Sequence, residues 1–168
     1  MLTIVQAETQ GHIAAAREMM LEYQAELGIS LCFQNFDEEL RTLPGKYAPP
    51  AGRLLLAEVE GRSAGMIALR PVDENGACEM KRLYVRPDFR GHAAGRALVD
   101  ELIAQARSIG YHRMRLDTIQ GKMDRAIALY RVLGFREIAP YYNSPVKETL
   151  FLELDFTRGQ RLAVGPQT

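Results

Sequence analysis

Leu83, Tyr84 and Val85 end a β-prone run. Gly91, His92, Ala93, Ala94 and Gly95 follow as a turn of mostly small side chains, and an apolar-periodic segment begins at Ala94. Small residues between a strand and a helix let a ligand approach the backbone closely. The unpaired N–H groups of the first helical turn point at that ligand, and the helix dipole favours an anion there. Arg90 and Arg96 add positive charge beside the turn. This is chemistry for holding a pyrophosphate. No Gly-Lys-Ser/Thr follows, so it is not a Walker loop, and the G-x-G-x-x-G dinucleotide fingerprint is missing.

Charge placement narrows the ligand. The 168 residues carry 21 basic and 21 acidic side chains, yet residues 1–84 hold 8 and 12 of them and residues 85–168 hold 13 and 9. From Glu8 to Glu39 there are seven carboxylates and one arginine, and from Lys81 to Arg96 there are five bases, one acid and His92. A general polyanion binder is basic over a whole face. A short basic loop suits a small phosphorylated ligand and gives no reason to expect nucleic acid.

The elements that must position this loop read as a mixed α/β order. Thr3–Ala7 is strand-like. Ile13, Ala16, Met20, Tyr23 and Leu27 form one helical stripe within 12–27, Glu18, Glu22 and Glu26 line another face, and Gly28 is the stop. Asp37–Leu43 is a second short helix. Arg53–Val59 and Ser63–Arg70 form a hairpin around Glu60-Gly61. Cys78–Val85 and Arg113–Thr118 are strands, and Ala94–Ile109 and Asp124–Leu133 are helices ended by Gly110 and Gly134. Phe135–Ile138 and Leu150–Leu154 are short strands. One domain spans 1–156, and 157–168 is a tail.

The composition, 47% hydrophobic and 25% charged, is that of a globular domain able to bury a core of its own. No run approaches the length of a membrane-spanning helix, and the first residues lack the basic start of a signal peptide. Cys32 and Cys78 lie far apart and, with three scattered histidines, make no metal-type spacing. Cytoplasmic residence, reduced thiols, no metal and no membrane partner are therefore expected. Both cysteines read as buried small hydrophobes.

Leu83-Tyr84-Val85-x-Pro87 followed by Arg90-Gly91-x-x-x-Gly95-Arg96-Ala97-Leu98 resembles the acyl-CoA-binding motif of the GNAT superfamily of N-acetyltransferases. Ala126-Ile127-x-Leu129-Tyr130-x-x-x-Gly134-Phe135 resembles the family's other hallmark. The resemblance covers residues 1 to about 155. It implies a central, mostly antiparallel, twisted mixed sheet flanked by helices, with acetyl-CoA as co-substrate. Ala93 stands where the family usually has glycine. It permits close approach if its φ is negative. Met123 stands where many members have an asparagine that contacts the pantetheine arm.

The resemblance also assigns roles. The strand ending in Leu83, Tyr84 and Val85 is splayed from its neighbour by a bulge, and its freed backbone pairs with pantetheine; a backbone amide near Leu83 stabilises the oxyanion. Pyrophosphate sits on the amides of Gly91, His92, Ala93, Ala94, Gly95 and Arg96, with Arg90 beside them, and Met123 and Ala126 flank the ligand. Glu79, 11 residues before Arg90, becomes the base that takes a proton from an amine whose pKa is about 10. Tyr130 becomes the acid that protonates the leaving thiolate. The structural alternatives are a Glu79–Lys81 pair on one strand face and a simply packed Tyr130. The acceptor, a small-molecule primary amine, is expected at residues 28–47 and 139–147, with Phe33, Asn35, Tyr141 and Tyr142 as its contacts. A homodimer is compatible with this reading. A protein lysine or N-terminal acetyltransferase, a non-catalytic acyl-CoA binder and a mononucleotide-binding module are the alternatives.

Overall fold

The computed structural model describes residues 1–72 and 76–157. The tail expected at 157–168 therefore lies, beyond Thr157, outside the described residues. The chain runs β1 (Leu2–Gln6), α1 (Gln10–Leu27), α2 (Phe36–Thr42), β2 (Arg53–Val59), β3 (Arg62–Pro71), β4 (Ala77–Val85), α3 (Ala94–Ile109), β5 (Arg113–Ile119), α4 (Asp124–Val132), β6 (Arg136–Glu137) and β7 (Thr149–Asp155). Short 3₁₀ turns at Cys32–Gln34, Gly45–Tyr47 and Pro87–Phe89 shape the connections.

The strands form one seven-stranded sheet in the order β1-β2-β3-β4-β5-β7-β6. Neighbours are antiparallel except β4 and β5, which are parallel. Alternation along β2 shows how two faces are filled. Leu54 and Leu56 join Met19, Met20, Leu27 and Phe36 under α1 and α2, while Leu55 and Ala57 join Leu98, Leu102, Leu116 and Tyr130 on the side of α3 and α4. All four β2 residues are fully buried, so the strand reads as a continuous apolar run.

Local signals act as the sequence implies. Gly28 and Gly110 close α1 and α3 in left-handed conformation. Glu60 and Gly61 both take positive φ, 51° and 78°, the geometry of a two-residue hairpin turn. Two expectations change. The Phe135–Ile138 strand shrinks to Arg136–Glu137, both exposed, because a sheet-edge strand has a partner on one side only. Cys78 is buried as expected, but Cys32 is exposed, since it starts a surface 3₁₀ turn that buries none of its residues.

Two irregularities bear on the site. Opposite Met66–Ala68 the β3–β4 register shifts by one residue, and Arg82 there has φ +61°. This bulge twists the end of β4 away from the regular ladder. Past it, Gly65 pairs with Val85. A Cβ on Gly65 would stand 2.7 Å from the Tyr84 carbonyl oxygen, so only glycine lets the strands close again.

Candidate active site

β4 and β5 pair only through Ala77–Glu79 and Arg113–Arg115. Beyond that point both strands continue and diverge. Met80–Leu83 on one side and Leu116–Ile119 on the other become the walls of a cleft that Leu31, Phe33, Gln34 and Tyr130 also line. Its free space is about 40 Å³, room for roughly three water-sized groups. An outer cleft of about 470 Å³ is lined by Leu83, Tyr84, Val85, Glu26, Arg90, Met123 and Ala126, among others. Tyr23, Leu27, Leu83 and Met123 line both. The two clefts therefore adjoin, and the outer one is much the roomier.

The turn before α3 meets the outer cleft at Arg90, and residues 91–96 lie off its wall. Gly91 has φ +93°, with open space where a Cβ would be. Ala93 has φ +59°, not the negative φ expected for it, so it takes up the left-handed bend that glycine adopts at no cost. The first intrahelical bond runs from the Ala97 N–H to the Ala93 carbonyl at 3.0 Å. The amides of Ala94, Gly95 and Arg96 precede it and stay available to an anion. Gly91, His92, Ala93 and Arg96 are exposed, and a Cβ on Gly95 would touch only Val85, at 3.7 Å.

The basic run is not a free positive patch. Arg86 Nη2 donates to Glu22 at 2.8 Å and lies 3.4 Å from Glu18. Arg90 Nη2 donates to both oxygens of Glu26 at 2.7 and 2.8 Å. Arg96 pairs with Asp100 at 3.0 Å. Arg82 donates bidentately to Glu39 at 2.9 and 2.8 Å. The acidic faces of α1 and α2 neutralise the loop that they pack beside, which corrects the sequence reading. Arg90 and Glu26 are both more than two-fifths exposed, and an exposed pair of this kind exchanges partners at little cost.

Tyr130 is buried at the inner end, its ring 5.5 Å from that of Phe135. Burial, then the charges of Tyr23 and Asp117, push its hydroxyl pKa well above 10, so it holds its proton at neutral pH. Glu79 is 1% exposed. Its Oε1 accepts from Arg70 Nε at 2.7 Å and its Oε2 from the Tyr141 hydroxyl at 2.6 Å. Lys81 is therefore not its partner: Arg70 on β3 sits opposite Glu79 in register and takes that place.

Lys81 turns into the cleft, where sequence reasoning had not placed it. Its Nζ donates to Gln34 Oε1 at 3.0 Å and lies 3.7 Å from Asp117 Oδ1. Gln34 Nε2 and the Tyr142 hydroxyl both donate to Asp117 Oδ2. Phe33 forms part of the wall; Tyr142 lies behind it, bonded to the wall residue Asp117, while Tyr141 is bonded to Glu79, and neither Tyr141 nor Glu79 is on the wall. Asn35 is exposed, in a left-handed conformation between the 3₁₀ turn and α2, and is not on the wall. Lys81, Gln34 and Asp117 come from three distant segments, so no spacing in the sequence marks them. Among the described residues no group of three or more His, Cys, Asp or Glu gathers to hold a metal, and no helix is long and apolar enough to cross a membrane.

A family model, the acetyltransferase (GNAT) family, matches residues 15–135. An uncharacterized N-acetyltransferase of Schizosaccharomyces pombe is 40% identical over 141 residues, covering 83% of this chain and 86% of the relative. A GNAT-family acetyltransferase from Staphylococcus aureus superposes with a TM-score of 0.77 at 22% identity, over 93% of this chain and 99% of that one. A putative acetyltransferase of Salmonella typhimurium, solved with its cofactor acetyl-CoA, superposes at 0.64 with 23% identity, over 92% and 94% of the two chains.

Proposed function

Since the chain belongs to the acetyltransferase (GNAT) family, we propose that it moves the acetyl group of acetyl-CoA onto a primary amine of a small molecule, by direct attack with both substrates bound. One observation carries this reading. The β4–β5 divergence opens two adjoining clefts, a roomy one that reaches Arg90 before α3 and a small one that reaches Tyr130, which suits a nucleotide at the first and a thioester at the second. The Salmonella structure with acetyl-CoA has the same fold, which supports that choice of ligand.

The site residues divide the work. Gly91 and Ala93 to Arg96 present backbone N–H groups to pyrophosphate, while the His92 N–H is bonded to the Phe89 carbonyl at 3.3 Å, and Arg90 exchanges Glu26 for a phosphate oxygen. Past the bulge at Arg82, Leu83, Tyr84 and Val85 offer backbone groups to the pantetheine arm as a neighbouring strand would. Met123 and Ala126 border the same cleft, and Met123 contributes apolar contact and no amide. The amide at Leu83 faces the charge that develops on the acyl oxygen. Tyr130 gives its proton to the departing sulfur. Glu79, held off the cleft wall by Arg70 and Tyr141, takes the amine's proton through an intervening water.

A second assignment of the base has its own support. Asp117 stands on the cleft wall, where Glu79 does not. Glu79→Gln and Asp117→Asn separate the two: the true base loses rate most steeply at low pH, with CoA affinity kept. A small acceptor is favoured over a protein chain because the inner cleft has only about 40 Å³ of free space. The overall test compares CoA with ATP for thermal stabilisation and then screens amines for release of CoA thiol. Stabilisation by CoA alone and amine-dependent thiol release are expected; equal stabilisation by ATP would point to a general nucleotide module.

A further inference from the structure

We infer that the acceptor carries a carboxylate next to its amine, as an α-amino acid does, and that Lys81 and Asp117 read these two groups together. This rests on the acetyl-transfer reading above and names its substrate class.

Bonding capacity goes unused at the inner cleft. Lys81 Nζ has three donors, and Gln34 Oε1 takes one at 3.0 Å. Asp117 Oδ1, at 3.7 Å, is beyond hydrogen-bond length. Both donors to Asp117, Gln34 and Tyr142, reach Oδ2, and Oδ1 keeps its lone pairs. The Lys81 and Asp117 side chains are only 8% and 11% exposed, and both line the inner cleft beside Tyr130. A buried ammonium with two N–H groups still open and a buried carboxylate oxygen with open lone pairs thus stand side by side on the inner cleft.

Buried charges held this loosely are costly unless something completes them. Burial, the largest effect, lowers the Lys81 pKa even though Asp117 and Glu79 oppose it. Lys81 and Asp117 are already each other's counter-charge at 3.7 Å, and a carboxylate on Lys81 with an ammonium on Asp117 would add direct hydrogen bonds while keeping the charge balanced. Neighbouring charges are already spoken for. Arg82 is bidentate to Glu39, and Arg70 is bonded to Glu79. The site therefore gains nothing from a net charge, and a zwitterion fits it.

Spacing agrees with chemistry. An α-amino acid holds its nitrogen and nearer carboxylate oxygen roughly 3 Å apart, from its bond lengths. Lys81 Nζ and Asp117 Oδ1 are 3.7 Å apart, so the two pairs can lie antiparallel in a closed ring of alternating charge. The free inner space takes only part of such a molecule, and the rest would lie toward Phe33, a wall residue that is 36% exposed.

The test measures kcat/KM with acetyl-CoA for the common α-amino acids, each beside its decarboxylated amine. Wild-type protein should favour the best amino acid over its amine by about tenfold to a hundredfold, the range of a charge-assisted hydrogen bond. Lys81→Met should collapse that ratio to near unity and Lys81→Arg should restore part of it, with acetyl-CoA affinity retained in both. Equal or better rates with the decarboxylated amines overturn the proposal, as does a Lys81→Met loss that leaves the ratio intact. The wild-type comparison needs no variant, so a Lys81→Met chain that fails to fold does not spare the proposal. If acetyl-CoA binds and no amine of either kind is acetylated, the small-molecule reading falls and this proposal with it. Acetylation without a carboxylate preference overturns this proposal alone.

Discussion

Arg90 Nη2 donates to both carboxylate oxygens of Glu26, at 2.7 and 2.8 Å, across the mouth of the outer cleft. The contact joins α1 to the turn before α3, so the arginine that would meet a phosphate is already engaged. Glu26→Ala should free Arg90 and remove a carboxylate that repels phosphate. CoA affinity should rise about two- to fivefold, in line with an exposed ion pair, and the gain should shrink at high salt. Titration calorimetry at two ionic strengths measures both effects; unchanged affinity would show that Arg90 does not face the ligand.

Gly95 should tolerate a methyl group and not a carboxylate. Its Cβ would make ordinary contact with Val85, so Gly95→Ala should fold and bind CoA at about a few-fold cost, chiefly from crowding near the amides. Gly95→Glu should fold equally well and lose CoA-dependent stabilisation, because it places a negative charge among donors meant for phosphate. Melting curves with and without CoA check this. Wild-type stabilisation in Gly95→Glu would remove the turn from the binding site.

The charged loop shows where sequence reading stops. Helix stops, the hairpin and the strand–turn–helix at Leu83–Leu98 follow from local chemistry, and each is found in place. What packs against Arg86 and Arg90 depends on α1, 64 residues away, and no local rule conveys that distance. For the same reason Lys81 reads as a strand-surface partner of Glu79 and is found in the cleft with Gln34 and Asp117. The left-handed Ala93 could not be foreseen from an alanine. Gly65 could have been noticed, since an isolated glycine inside a strand pattern signals a bulge or a close backbone approach.

The Arg82–Glu39 pair should tie stability to acid. Burial raises the Glu39 carboxyl pKa, but the hydrogen bond and charge of Arg82 outweigh it and leave Glu39 below its ordinary 4.5. The folded state then takes up this proton less readily than the unfolded one. The pair's contribution is complete above about pH 4.5 and is lost as pH falls through the lower folded value. Glu39→Ala should cost about 3–5 kcal/mol at neutral pH, because Arg82 is left buried and unpaired. Denaturant titrations from pH 7 to 3 should show a shallower acid decline in Glu39→Gln than in wild type; equal slopes would mean the pair does not control the acid limb.

Tyr130→Phe removes one hydroxyl and keeps the ring against Phe135. Melting temperature and CoA affinity should hold, while kcat should fall by roughly 10²–10⁴-fold, the range of general acid catalysis. A loss of only about tenfold at full stability would assign Tyr130 to orienting the thioester. A melting drop with near-normal kcat would make the hydroxyl structural.

The central claim is transfer of acetyl from acetyl-CoA to a small amine in the β4–β5 cleft. Continuous detection of CoA thiol, with purified protein, acetyl-CoA and a panel of amines and amino acids, tests it most directly. The account predicts thiol release that requires an acceptor, matches the acetylated amine mole for mole, and falls at least about a hundredfold in Tyr130→Phe. Saturable acetyl-CoA binding with no acceptor-dependent release, or release at the same rate without any amine, would contradict it.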